Sequence, residues 1–167
     1  MWFKRDLRVF DHAPLYEASQ RGWVLPLYIV EPELWRQPDA SNRQWRFVRE
    51  CLQELDRALG ERAGRASGLI VRVGDAVATL EAIHQAHGIG ALWAHMEIGN
   101  NWTFQRDKAV RRWARARGVP FYELPQDGVI RGLSSRAGWR EHWEAAMSQP
   151  LVPAPTHLRI PPLRSDA

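Results

Sequence analysis

Short apolar runs that alternate with amphipathic stretches constrain the fold of this chain more than any other feature of its sequence. Strand-like runs are expected at residues 1–3, 23–30, 68–73, 91–95 and 120–124. Between several of them, apolar residues recur at the spacing of a helix. Strands that alternate with helices require right-handed crossovers and lie parallel to one another. The sequence therefore predicts an α/β fold: a doubly wound, five-stranded, mostly parallel sheet flanked by helices.

Polar residues ahead of the amphipathic stretches indicate where the helices begin. Asp11 is expected at the N-cap of the first helix, with a proline in its first turn. Ser41 with Gln44 forms a capping box for a long helix. Asp75 is expected to cap the helix after 68–73, and Thr103 the helix that runs to Gly118. A short helix is predicted over residues 138–147.

Two segments of different character are predicted along the chain. Residues 1–149 contain the regular alternation and are expected to form one α/β domain. Residues 150–167 contain five of the eleven prolines, so we expect a proline-rich linker toward a further, helical domain.

Composition narrows the class of protein. With 167 residues, 45% of them hydrophobic, the chain can bury the core of a single domain. The single cysteine, Cys51, excludes a disulfide framework. No apolar run approaches the roughly 20 residues of a membrane span and no signal peptide precedes the first strand, which predicts a cytoplasmic protein without a membrane partner. The net charge of +4 permits contact with nucleic acid but does not require it.

Several chemistries lack the residues that they need. His84 and His87 share a helix face without a third ligand, so no metal site is predicted. The chain has no Gly-x-Gly-x-x-Gly, Walker lysine or Gly-x-Ser-x-Gly motif, which argues against a dehydrogenase, a P-loop ATPase or a hydrolase.

The most distinctive motif lies at the start of the chain. Residues 2–8 read Trp-Phe-Lys-Arg-Asp-Leu-Arg, the end of a buried strand followed by a charged loop. This run closely resembles the opening signature of the DNA photolyase/cryptochrome family. Residues 11–15, Asp-His-Ala-Pro-Leu, resemble the family's helix start but depart from it at His12 and in the order of alanine and proline.

The resemblance extends over most of the chain. Residues 41–55 are similar to the family's Asn-Arg-x-Arg-Phe helix, and 73–75 to its Gly-Asp strand end. Glu97 keeps the family's spacing to the Arg-Asp pair at 106–107, and residues 127–130 also fit. Residues 94–103 replace the commoner Asn-x-Asp-x-Glu-Pro-Tyr pattern, which indicates a divergent, bacterial-type branch.

The resemblance implies the N-terminal, antenna-binding domain of a blue-light-driven flavoprotein. The full-length protein would repair UV-induced pyrimidine dimers in DNA, or signal, using FAD in a C-terminal helical domain that is absent here. The present chain would carry no catalytic residue and would be inert alone. Its expected cofactor is an antenna chromophore: a deazaflavin, FMN or methenyltetrahydrofolate.

The expected site is the carboxyl edge of the sheet, where ligands of open parallel sheets bind. The loops at this edge carry the candidate cofactor-binding residues Arg5, Asp6, Arg8, Glu31, His95 and Glu97. By the resemblance, Arg5 and Glu97 fall where family members contact a deazaflavin, and His95 stands where a carboxylate usually helps.

Structural roles for these residues remain open alternatives. Arg5, Asp6 and Arg8 could form a salt-bridge set that pins the first loop or docks the helical domain, and for Asp6 this structural role is favoured. Glu97 could cap a helix. A run of cations on one helix is read as a solvated face rather than as a DNA-proximal or interdomain surface: Arg106, Lys108, Arg111, Arg112, Arg115 and Arg117. Four tryptophans are expected in core or interface packing: Trp102, Trp113, Trp139 and Trp143.

Two rival functions are also compatible with the pattern. One is a docking module that retains the fold without a pigment. The other is a stand-alone nucleotide-binding domain of the universal-stress-protein type, which rests on fold analogy alone.

Overall fold

The computed structural model describes residues 1–130, 132 and 135–166. Five strands alternate with helices, as the sequence predicts. The strands are β1 (Trp2–Phe3), β2 (Leu27–Val30), β3 (Ile70–Val73), β4 (Leu92–His95) and β5 (Phe121–Leu124). The helices are α1 (Ala13–Ser19), α2 (Pro32–Trp35), α3 (Asn42–Ala63), α4 (Ala76–His87), α5 (Asn101–Arg117) and α6 (Trp139–Met147).

The strands form two parallel sheets rather than the single five-stranded sheet that the sequence predicts. One sheet has the order β1-β2-β3 and the other pairs β4 with β5. β1 lies against β4, but among the described residues no hydrogen-bonded ladder joins them. The physical reason is the length of β1: its two residues present few backbone groups, and they pair with β2.

Helices cover both faces of the strand layer, which makes the fold doubly wound. Successive side chains of a strand point to opposite faces, so β1 sends Phe3 into one core and Trp2 into the other. The Phe3 core is completed by α1 and α3, which contribute residues such as Leu15 and Leu59. The Trp2 core is completed by α4 and α5. The predicted α/β class is confirmed.

Two of the predicted helix caps are wrong and two are confirmed. His12 caps α1, because its Nδ1 accepts a hydrogen bond from Leu15 N at 3.2 Å. Asp11 cannot take this role, because its φ of 51° departs from the extended backbone of an N-cap. Asn100 caps α5, and Thr103 lies in the first turn. Ser41 and Asp75 cap α3 and α4 as expected.

The proline-rich end of the chain packs back onto the domain. Leu158 and Ile160 are buried in the Phe3 core. Further on, Ser165 Oγ accepts a hydrogen bond from Val71 N at 2.9 Å, and Asp166 N donates to Val71 O at 2.9 Å. Residues 150–166, here called the C-terminal segment, thus cross the domain and run beside β3. Its role as a linker toward a helical domain remains a prediction.

Within the part of the chain that the structure describes, no helix combines the length and the apolar character that crossing a bilayer would require.

Candidate functional site

A cavity of about 580 Å³ opens at the carboxyl ends of β1 and β2. Its volume lies within the roughly 300–1,000 Å³ of typical small-molecule sites. Tyr28, Trp35 and Phe47 give it aromatic surface, and charged groups converge on it: Arg5, Glu31, Glu97 and Arg106. The cavity is where the topology of a parallel sheet predicts a ligand.

Arg106 organises the charged wall of the cavity. Its Nη1 donates to Glu31 Oε2 at 2.7 Å, its Nη2 pairs with Glu97, and its Nε donates to Asp107 Oδ1 at 3.0 Å. The guanidinium lies 5.0 Å from the ring centre of Trp2. Although burial opposes the charge, the three carboxylates raise the pKa of Arg106 above its usual range. Because the guanidinium group is planar and each of its three nitrogens has a carboxylate partner, Arg106 is held firmly in the wall of the cavity.

Glu31 directly follows β2 and is nearly fully buried. Its Oε2 accepts from Arg106, whereas its Oε1 is buried without a hydrogen-bond partner. Burial raises the pKa of Glu31 to about 7, against the opposing effect of Arg106, and the carboxylates of Glu97 and Asp75 add to the increase. Trp35 Nε1, on the next helix, is also buried without a partner. Buried polar atoms are rarely left unpaired, and Glu31 Oε1 and Trp35 Nε1 are two such atoms on residues that line the cavity.

Two further cations add to the charge pattern, and Arg111 pairs with Glu123 at its edge. Arg5 Nε donates to Glu97 Oε1 at 2.9 Å, and 57% of the Arg5 side chain is exposed at the mouth of the cavity. Lys4 is buried, where its Nζ donates to Asp107 Oδ2 at 3.1 Å and lies 3.6 Å from Glu123 Oε1.

A second polar cluster lies beside the cavity. Asp6 Oδ2 is 2.8 Å from His12 Nε2 and 2.8 Å from His95 Nδ1, and Asp6 Oδ1 accepts from Lys4 N at 2.8 Å. Burial alone would raise the pKa of Asp6, but the contacts with both histidines and Lys4 N hold it well below its usual range. Burial lowers the pKa of His12, although Asp6 opposes this. His12 and His95, two of the departures from the family pattern, therefore meet at one carboxylate.

The Asp6, His12 and His95 ligand atoms lie within 4.8 Å of one another, close enough for a shared metal ion. The protonation of His12 argues against one. Because His12 Nδ1 accepts from Leu15 N, the proton of the neutral ring is on Nε2, the atom that would have to bind the metal. The cluster is better described as a carboxylate that orients two imidazoles.

The structure divides the predicted site residues into two groups. Arg5, Arg8, Glu31 and Glu97 line the cavity. Asp6 and His95 belong to the second cluster and do not line it. The alternative of structural roles for these residues describes part of the geometry. Arg5 forms an ion pair with Glu97, and Arg8 donates a hydrogen bond to Asp11 O.

Sequence reasoning missed Arg106 and Trp35. Arg106 was grouped with the solvated cations of α5, yet it is 8% exposed, whereas Arg112 and Arg115 are exposed as predicted. The sequence did contain a signal of its burial, because Arg106 lies at helical spacing from Thr103, Val110 and Trp113, which form the buried face of α5. Trp35 had no comparable signal, since α2 is only four residues long.

The fold and the cavity agree with what comparison with known proteins finds. The family model for DNA photolyase matches residues 1–131. The chain belongs to the DNA photolyase family.

Individual relatives come from bacteria and plants. A deoxyribodipyrimidine photo-lyase of Salmonella typhimurium (strain LT2) is 34% identical over 117 residues, which cover 67% of this chain and 24% of that protein. A deoxyribodipyrimidine photo-lyase of Streptomyces griseus is 27% identical over 176 aligned positions, which cover 95% of this chain and 37% of that protein. The chloroplastic/mitochondrial cryptochrome DASH of Arabidopsis thaliana is 31% identical over 104 residues, which cover 58% of this chain and 18% of that protein.

Among solved structures, a bacterial class III photolyase from Agrobacterium tumefaciens superposes with a TM-score of 0.75 at 23% identity. The match covers 99% of this chain and 36% of that one, which supports the fold. The chain thus spans between 18% and 37% of the length of these relatives.

Proposed function

We propose that the chain is the N-terminal α/β domain of a blue-light-driven photolyase or cryptochrome-like flavoprotein, and that it binds an antenna pigment in the cavity beside Arg106. The observation that carries the proposal is the cavity itself. It is aromatic, it is walled by paired charges, and it leaves buried polar atoms without partners.

The residues of the cavity fit a planar heteroaromatic pigment. Tyr28, Trp35 and Phe47 offer ring surface. Arg106, held by three carboxylates, keeps one wall in place and helps to exclude water. The exposed guanidinium of Arg5 at the mouth suits a polar or anionic side chain of the pigment.

A bound antenna would absorb light and pass the energy by dipole coupling to a catalytic flavin. This role needs no acid, base or nucleophile from the present chain, and its residues would only bind, orient and shield the pigment. The catalytic FAD, a C-terminal helical domain and UV-damaged DNA as substrate belong to the proposal for the full-length protein.

The rival functions are not favoured. The matches are with photolyases and cryptochromes, and the chain lacks the glycine-rich phosphate loop of a nucleotide-binding domain.

Pigment retention tests the proposal directly. The purified chain is incubated separately with FMN, a deazaflavin and methenyltetrahydrofolate, and retained absorbance is measured after gel filtration. We expect one of these pigments to be retained, and Arg5→Ala to weaken retention about tenfold through loss of a charge-assisted contact.

Arg140→Ala is the matched control, because the Arg140 side chain is 83% exposed on α6, outside the cavity. Far-UV circular dichroism verifies that both variants fold. Retention of none of the three pigments, or equal retention by the Arg5 variant, would contradict the proposal.

A further inference from the structure

Three cations of α5 differ from the other charged residues of that helix. Lys108, Arg112 and Arg115 are exposed at helical spacing on one face, and none of them lines the cavity. Within the part of the chain that the structure describes, no carboxylate forms an ion pair with any of the three. Lys108, Arg112 and Arg115 are here called the cationic row.

The acidic groups near α5 are already used by other residues. Arg111 pairs with Glu123, and Arg117 Nη2 lies 2.6 Å from Glu81 Oε1. Asp107 is the one carboxylate in the sequence of α5, and it is buried. The cationic row therefore presents positive charge to solvent that its own helix does not neutralise.

Ordinary helix chemistry does not account for the cationic row. Cations in the last turn of a helix complement the helix dipole, which explains Arg115 but not Lys108 in the middle of α5. Solvated helix faces commonly mix charges of both signs, as α3 does where Arg57 precedes Glu61 by one turn. A row of one sign instead suits a partner that carries regularly repeated negative charge.

We propose that the cationic row contacts the phosphate backbone of double-stranded DNA. Lys108 and Arg115 are seven residues apart, so the row extends about 10 Å along the helix. This length equals about three of the steps of about 3.4 Å between phosphates along one strand of a duplex. The inference goes beyond the proposed function, because the contact belongs to this chain and needs neither a pigment nor a catalytic flavin.

The aromatic residue beside the row favours a duplex over a single strand. Phe104 precedes Lys108 by one turn and is 40% exposed, and Lys108 Nζ lies 5.5 Å from the centre of its ring. Proteins that bind single strands stack unpaired bases on aromatic rings. Because Lys108 covers the ring of Phe104, the row presents charge rather than a stacking surface, which suits contact with phosphates.

The dependence of DNA affinity on salt concentration tests the proposal. The association constant of the 167-residue chain for a fluorescent, undamaged duplex of about 20 base pairs is measured by anisotropy from about 50 to about 200 mM NaCl. Each neutralised phosphate contributes about −0.9 to the slope of log K against log salt, so three contacts predict a slope of at least about −2.7. The test variant carries Lys108→Gln, Arg112→Gln and Arg115→Gln, and we expect its slope to be less negative by about 2.7.

A second triple variant separates the cationic row from net charge. It carries Arg46→Gln, Arg49→Gln and Arg57→Gln, three exposed positions of α3 that lie outside the cavity lining. α3 and α5 cover opposite faces of the strand layer. Both triple variants lower the net charge from +4 to +1, and we expect the α3 variant to keep the slope of the unaltered chain. Far-UV circular dichroism verifies that both variants fold.

Each outcome bears on the proposal. An equal change of slope in the two triple variants would show that net charge alone acts, and would overturn it. No binding of the unaltered chain to the duplex at about 50 mM NaCl, or tighter binding to a single strand of the same length or to phosphatidylserine vesicles, would also overturn it. Pigment retention is a separate measurement: duplex binding without pigment retention contradicts only the proposed function, and pigment retention without duplex binding contradicts only this inference.

Discussion

At the scale of single residues, Asp6 fixes the loop that carries Lys4 and Arg5. Its carboxylate accepts from Lys4 N and contacts both His12 and His95, so the loop after β1 is attached to α1 and to β4. Removal of one partner from a buried charged set usually destabilises a protein by roughly 3–5 kcal/mol. The ligand role of Asp6 stays a prediction of the sequence, and its contacts are those of a positioning residue.

The histidine at this cluster predicts a specific loss of stability in acid. Because the pKa of His12 is lowered in the folded state, the unfolded chain binds the additional proton. The stability from His12 is therefore complete above the unfolded pKa of about 6.5 and is lost as the pH falls below it. Urea unfolding at about pH 7.5 and about pH 5.5 measures the change.

His12→Asn is the comparison, because asparagine can cap α1 without titrating. We expect the free energy of unfolding to fall less on acidification in this variant. Both chains should carry Glu31→Gln, so that Glu31 does not titrate in the experiment. Because the pKa of Glu31 is raised, its contribution to stability is lost as the pH rises through about 7, which is opposite in direction to the contribution of His12. An equal acid dependence of the two chains would show that His12 is not the titrating group.

The sequence predicted some site residues and missed others for a physical reason. Arg5, Glu31 and Glu97 were found because strand ends are recognisable and the carboxyl ends of parallel strands meet. Asp6 and His95 satisfy the same rule, yet they turn toward His12. Arg106 reaches the cavity from a helix, and its burial depends on partners that are distant along the chain.

At the scale of elements, the C-terminal segment behaves as part of the domain. Leu158 is 2% exposed within the Phe3 core, and Leu158 N donates to Arg62 O at 2.9 Å. The proline content predicted a linker, and the described part of the segment contains no helix. Proline content could not indicate whether an irregular segment packs, because two or three buried side chains suffice to fix it.

Leu158→Ala tests this packing. We expect a loss of about 2–5 kcal/mol in the free energy of unfolding, the usual cost of a cavity in a core, measured by urea unfolding. Leu151→Ala is the control in the same segment, because Leu151 is 65% exposed and its loss should cost within about 0.5 kcal/mol. Similar values for the two variants would mean that the segment does not belong to the core.

The helix boundaries show how far local sequence determines an element. Ser41 was predicted correctly because Gln44, three residues on, completes a capping box with it, and Asp75 because it follows the glycine that ends β3. At α5, Asn100 and Thr103 are both suitable N-cap residues, and the backbone conformation determines which of the two caps the helix. Thr103 is helical and its hydroxyl donates to Asn100 O at 3.0 Å, which the sequence does not reveal.

At the scale of the whole molecule, the order of the layers was predictable and the continuity of the sheet was not. Alternating segments determine a doubly wound fold because crossovers have one hand. Whether β1 also forms a ladder with β4 depends on a few backbone hydrogen bonds at a strand of two residues. Hydrophobic pattern carries no information on such bonds.

Pigment binding should stabilise the whole domain by mass action. Because the cavity exists only in the folded chain, the retained pigment at about 100 times its dissociation constant should raise the free energy of unfolding by about 2.7 kcal/mol. Urea unfolding with and without that pigment measures this change. Binding without stabilisation would locate the pigment outside the folded cavity.

The position of Ser165 and Asp166 beside β3 has a consequence for how copies of the molecule behave toward one another. An uncovered strand edge is a template for pairing with another chain and for fibril growth. Here the N–H of Val73 donates to Asp166 Oδ2 at 2.9 Å, and Val71 is bonded on both backbone groups to the same segment. The outer edge of the three-stranded sheet is therefore closed by a charged, irregular stretch, which protects the domain against edge-to-edge aggregation.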